Sequence, residues 1–152
     1  MISIDVIGGK KKERELMKSL AEFCVKKMMP RKKNLDVEIT IHRNLESKQG
    51  LLGAVVDTDD TNTFEMDICH TMSLRKKLLT VAHEMVHVKQ FTRGELKHTE
   101  CVHTKSWNGT SYHEDAYWNC PWEIEAYGRE LGLFTMWVKE HNIKGAFTID
   151  PT

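Results

Sequence analysis

Three residues of this chain have the types and the spacing for metal chemistry. They lie in the run Leu78-Leu79-Thr80-Val81-Ala82-His83-Glu84-Met85-Val86-His87. On a helix, His83 and His87 stand one turn apart on one face, so two imidazoles can grip one ion. Glu84 lies about 100° around the helix from His83, within reach of a water held at that ion. Two nitrogen ligands suited to zinc beside one carboxylate that can serve as general base are what a metal-dependent hydrolase needs.

The competing reading is a pair of ordinary helix-face histidines. The context favours the metal. Leu74, Leu78, Val81, Ala82, Met85 and Val86 keep a helical apolar pattern, and Ser73 stands at the N-cap position. Residues 80–82 and 85–86 are all uncharged, which suits a helix buried behind a cleft.

A catalytic zinc ion takes three protein ligands and keeps a fourth position open. A histidine six residues after His87 would make a metzincin pattern, but that position is Arg93. The remaining donors are His98, Cys101, His103, His113, Glu114, Asp115, Cys120, Glu123 and Glu125. Glu125 is favoured because it falls on a predicted helix near Gly128 and Gly132, where another helix could approach closely. Glu123 sits about 160° away from it on the helical wheel, so the two cannot both face one ion. The bland alternative for Glu125 is a surface carboxylate that complements the helix dipole.

The elements that must position these groups read as follows. Residues 2–7, 36–42, 52–57 and 63–69 alternate or cluster as strands, with His42 a surface residue at a strand end. Residues 11–29 form a helix stopped by Pro30, and Gly94 stops the His-Glu helix. Asn108-Gly109 marks a hairpin between strands 101–106 and 111–116. Pro121 opens a helix to about residue 131 that Gly132 ends or kinks, with further helical turns over 134–141. The tail 146–149 reads as a short edge strand. Antiparallel strands backed by helices imply an α+β fold in one domain, 1–152, with 98–120 as an insert.

Composition bounds the rest. The chain has 152 residues, 40% hydrophobic and 29% charged, with 22 basic and 22 acidic side chains. Zero formal charge argues against nucleic acid or an anionic membrane as the partner. The basic runs 10–12, 31–33 and 75–77 read as solvated faces. No apolar stretch is long enough for a membrane span, and no signal peptide is evident, so an intracellular protein with reduced Cys24, Cys69, Cys101 and Cys120 is expected. Cys101, His103, His113 and Cys120 bracket the hairpin and could hold a second zinc. Tyr112, His113 and Tyr117 are candidates to stabilise an oxyanion; packing of the tyrosines on Trp107, Trp118 and Trp122 is the alternative.

His83-Glu84-Met85-Val86-His87, followed by Glu123-Ile124-Glu125-Ala126 on a second helix, resembles the gluzincin metallopeptidases. The small phage and bacterial members are most similar, among them the ImmA/IrrE-type repressor-cleaving peptidases and uncharacterised phage zincins. The resemblance implies a minimal zincin fold: a small antiparallel or mixed sheet packed on the His-Glu helix and a Glu-bearing helix. It implies zinc held by His83, His87 and Glu125, with Glu84 as base and a protein or peptide as substrate. In this scheme strand 63–69 is the edge that pairs with an extended substrate. Two positions depart from the family pattern. Arg129 stands where an acidic partner for a ligand histidine is common, leaving Asp67 or Asp115 for that task, and Lys89 stands where an apolar residue is usual. The alternatives are a zinc-containing binding or regulatory module without protease activity, and a SprT-like DNA-associated protease.

Overall fold

The computed structural model of the chain describes residues 1–43 and 52–150. Strand β1 (Ile2–Ile7) leads to helix α1 (Lys11–Met28) and strand β2 (Leu35–His42). Strands β3 (Gly53–Asp57) and β4 (Thr63–Cys69) precede helix α2 (Leu74–Thr92). Then come β5 (Leu96–His98), β6 (Thr104–Trp107), β7 (Thr110–His113) and a kinked 3₁₀ segment, Glu114–Asn119. Helix α3 (Pro121–Glu140) and a 3₁₀ turn, Ala146–Thr148, complete the order.

The result is α+β, with one mixed four-stranded sheet and one small three-stranded sheet. The main sheet runs β1-β2-β4-β3. Strands β1, β2 and β4 are parallel, and only β3 is antiparallel to its neighbour β4. The sheet is therefore more parallel than the expected antiparallel arrangement. Helix α1 between β1 and β2 is the crossover that parallel neighbours need.

Alternation sets which face is covered. Leu35, Val37, Ile39 and Ile41 of β2 are buried, whereas Asp36 and Glu38 are exposed. Phe64, Met66 and Ile68 of β4 continue the buried face, and Met17 and Leu20 of α1 and Val81 and Met85 of α2 join the same core. Burying each such side chain contributes about 1.5–3 kcal/mol. Ala126, Leu133, Phe134 and Trp137 of α3 complete this core. Trp137 donates its indole N–H to Ser19 Oγ of α1 at 3.0 Å. Helix α2 is thus enclosed nearly all round, which explains why its central residues carry so little charge. Lys77, read as part of a solvated basic run, is buried and pairs with Glu13 at 2.9 Å.

Four local expectations change. Strand β4 has partners on both sides, so it is no edge; β3 occupies that place. Alternation reports which face a strand buries, not its neighbours. The hairpin is shorter than expected, four residues a side, but its turn is where Asn108 (φ 47°) and Gly109 (φ 89°) adopt the left-handed backbone a two-residue turn requires. Helix α3 runs unbroken through Gly132, whose missing side chain would meet open space; the apolar residues on either side hold the helix. The tail forms a 3₁₀ turn because Phe147 folds back onto the core and its carbonyl accepts from Arg75 at 3.0 Å.

Candidate metal centre

Ser73 caps α2, its hydroxyl accepting from Lys76 N–H at 3.2 Å. Three turns later His83 and His87 emerge on the side that faces α3 and the open edge of β3. Both are buried, with ring centroids 5.0 Å apart. Their Nε2 atoms converge on one carboxylate. His83 Nε2 lies 3.1 Å from Glu123 Oε1, and His87 Nε2 lies 3.3 Å from Glu123 Oε2. Among the described residues this is the one group of three donors whose ligand atoms all lie within 4.8 Å of one another.

The acid that joins the histidines is thus Glu123, and Glu125 is placed elsewhere. Glu125 Oε2 accepts from Lys89 at 2.7 Å and from Arg129 at 3.0 Å, and Oε1 accepts from Gln90 at 2.8 Å. The two glutamates do diverge, and it is Glu123 that faces the histidines; Gly128 and Gly132 mark no close-approach face, since nothing lies within 4 Å of where a side chain would begin. With about 100° per residue, Glu123 and Glu130 fall inside the stripe of Ala126, Leu133, Phe134 and Trp137, and Glu125 falls outside it. That stripe was a readable signal.

Each histidine has a second partner on its other ring nitrogen. His83 Nδ1 faces Glu130 Oε1 at 3.4 Å, and His87 Nδ1 faces Gln90 Oε1 at 2.8 Å. Such outer contacts fix ring orientation in metal centres. Asp67 and Asp115 do not take this part: Asp67 pairs with His42 and Asp115 with His113. The donor set of two imidazole nitrogens and one carboxylate, buried and backed by acceptors, fits zinc.

The electrostatics follow from this packing. Burial works against charge on His83, but hydrogen bonds to Glu123 and Glu130 and the charge of Glu84 carry its pKa up to about 9. His87 is raised as well; burial opposes this and Glu123 and Glu84 outweigh it. Burial alone would raise Glu123, yet the two histidines hold it at about 2. Glu84 is buried beside them, and burial pushes its carboxyl up against the pull of His87 and His83. It makes no hydrogen bond or ion pair among the described residues.

A cleft of about 370 Å³ opens over the centre. Its walls are β3 on one side and Leu96, Lys105 and Trp122 on the other, with His83, Glu84 and His87 between. A second hollow of about 210 Å³ lies beyond His83 and Glu84, lined by Lys76, Thr80, Tyr127 and Glu130. Gly53, His83, Glu84 and Tyr117 line both. At Gly53 a Cβ would fall 2.5 Å from the Thr80 methyl, so only glycine lets the edge strand lie this close to α2. His98 pairs with Asp57 at 2.7 Å and ties the small sheet to the end of β3.

Of the expected oxyanion groups, Tyr117 alone reaches the cleft. Its hydroxyl lies 3.1 Å from that of Tyr127, whose ring stands 4.5 Å from His83. Burial, the Tyr127 contact and the charge of Glu123 raise its pKa well above the usual phenol value, so it stays protonated. Tyr112 packs edge-on against Trp122. His113 is exposed and engaged with Asp115. The second zinc site does not assemble either. Cys101 is exposed, and the buried Cys120 directs its thiol to the carbonyls of His113 and Ala116.

No protein-family model, no curated protein and no solved structure matches the chain. Among the described residues, no helix is long and apolar enough to cross a membrane.

Proposed function

We propose that this protein is a zinc-dependent peptidase, of the small gluzincin type that its His-Glu-x-x-His run resembles. One observation carries the reading: His83 Nε2, His87 Nε2 and the Glu123 carboxylate converge at the floor of an open cleft, with the unpartnered Glu84 carboxylate beside them. His83, His87 and Glu123 would hold the ion. Zinc at such a donor set supplies Lewis acidity, making water acidic enough to ionise near pH 7 and polarising a carbonyl.

The chain's own groups do the remaining work. Glu84 accepts the proton of the attacking water and passes it to the leaving amine. A carboxyl raised by burial suits both halves of that task, since it holds a proton more readily than an exposed one. Tyr117, held protonated, offers an O–H to the oxygen that gains charge as the carbonyl is attacked. Strand β3 pairs with β4 alone within its sheet, so its outer edge can hydrogen-bond an extended peptide. Because hollows lie on both sides of Glu84, such a peptide can continue in both directions from the bond to be cut.

Glu84→Gln tests the reading. Substitution of a general base lowers turnover by ~10²–10⁴-fold, and the variant should keep its zinc. Cleavage of a peptide library at the wild-type rate by zinc-loaded Glu84→Gln would refute the mechanism.

A further inference from the structure

The cleft over the metal centre is barred at one end. Asp57, the last residue of β3, pairs with His98 of β5 at 2.7 Å, so an ion pair joins the two walls. Another hollow, of about 200 Å³, lies beyond this tie. Asp57, Phe91, Leu96 and His98 line both it and the main cleft. The tie therefore crosses a trough that would otherwise run on. Gly53 borders both hollows that flank Glu84, so it lies abreast of the reacting centre. From Gly53 to Asp57 the strand covers ~14 Å. A peptide laid along β3 thus has room for about two or three residues between the bond to be cut and the bar.

The chemistry beside the bar is cationic. Lys105 of β6 is the cross-strand partner of His98, and such partners project from one face of a sheet with Cβ atoms ~5 Å apart. Lys105 lines the main cleft, so its ammonium stands on the substrate side of the tie. Among the described residues its hydrogen-bond partner is Glu114, which does not line the cleft. An ammonium has three N–H groups, so Lys105 has donors to spare. The acids of the cleft are engaged elsewhere: Asp57 with His98, and Glu123 with the two histidines. Burial lowers the pKa of Lys105 against the pull of Glu123, Cys120 and Asp57, and a further anion beside the ammonium would offset that. An α-amine placed here would meet a like charge. An α-carboxylate would meet its counter-charge, over the apolar ground of Phe91 and Leu96.

We propose that Lys105 binds the terminal carboxylate of the substrate at the barred end of the cleft, so that the protein releases C-terminal pieces of about two or three residues. The release rests on the peptidase reading; the carboxylate site does not. Acetyl-dileucine, as free acid and as amide, is titrated calorimetrically into chelator-treated protein, where no metal competes for the carboxylate. A charge-assisted hydrogen bond should make the acid bind ~10–100-fold more tightly. Lys105→Met keeps the stem and removes the ammonium. Its preference for the acid should vanish, whereas a mere loss of packing would weaken both ligands alike. Equal binding of acid and amide by the wild type needs no variant and overturns the proposal, as does a preference that survives in Lys105→Met. Acetyl-Leu-Glu amide bound as tightly as the free acid would also overturn it, since a side-chain carboxylate would then serve as well. With zinc loaded, mass spectrometry of a treated peptide library should show short C-terminal fragments, with amidated peptides cut ~10–100-fold more slowly. Internal cuts throughout would overturn the C-terminal assignment. A protein that prefers the acid but cleaves nothing would sink the peptidase reading and leave the carboxylate site standing.

Discussion

Removing the metal should give this protein an unusual pH profile. In the metal-free chain, His83 titrates at about 9 against an ordinary 6.5, and Glu123 at about 2 against 4.5. Between pH 6.5 and 9 the native state keeps a proton on His83 that the unfolded chain has released, so stability must fall as pH rises. Below 6.5 the contribution is fully present; above 9 it is gone. The difference between 6.5 and about 9, at ~1.4 kcal/mol per unit, corresponds to about 3 kcal/mol. Glu123 acts at the other end: its contribution is present above 4.5 and is lost as pH falls through 2. Since the two groups share one ion pair, the energies do not add. The metal-free protein should therefore be most stable between about pH 4.5 and 6.5. Urea unfolding of chelator-treated protein at pH 6 and pH 9.5 reads the loss directly. Zinc held at the proposed site would reverse the trend, because it needs neutral imidazoles and competes with their protons. A metal-free stability that stays flat or rises from pH 6.5 to 9 would refute the ion-pair account of the site.

Two further outcomes follow from the packing. Gly53→Val should destabilise the fold by ~1–3 kcal/mol, because the new side chain meets Thr80, whose hydroxyl is tied to the Lys76 carbonyl at 2.8 Å; unfolding midpoints equal to wild type would count against the tight seat of β3 on α2. With a chromogenic disulfide reagent in native buffer, the exposed Cys101 should react fast, and Cys24, Cys69 and Cys120 only on unfolding. Burial pushes the Cys24 thiol up to about 12, which removes its nucleophilic form.

The sequence made some of this readable and hid the rest for physical reasons. His83, Glu84 and His87 were legible because one helix fixes their mutual geometry, and Ser73 marked where it starts. The hairpin was legible because Asn108-Gly109 is a local backbone demand. Strand order was not: the alternation of β4 is the same whether it lies at an edge or between β2 and β3. The carboxylate that meets the histidines was hidden for a related reason. Choosing between Glu123 and Glu125 depends on how α3 is rotated against α2, which Trp122, Ala126, Leu133, Phe134 and Trp137 decide by burial. Glycines that touch nothing were a poorer guide than that apolar stripe. Gln90 gave no signal, since the packing of α3 on α2 decides that it meets Trp122 and Glu125 as well as His87 on its own helix. Cys101, Cys120 and His113 carried ligand chemistry in their types, but the fold separates them: Cys101 and His113 are exposed, and the buried Cys120 turns its thiol to backbone carbonyls.

The central claim is that His83, His87 and Glu123 form one zinc site. Its most direct test is the zinc content and zinc dissociation constant of purified wild-type, Glu123→Ala and Glu125→Ala proteins. One zinc per chain in the wild type, lost in Glu123→Ala and retained with weakened affinity in Glu125→Ala, is the expected result. Zinc retained at wild-type affinity in Glu123→Ala, or absent from the wild type, would contradict it.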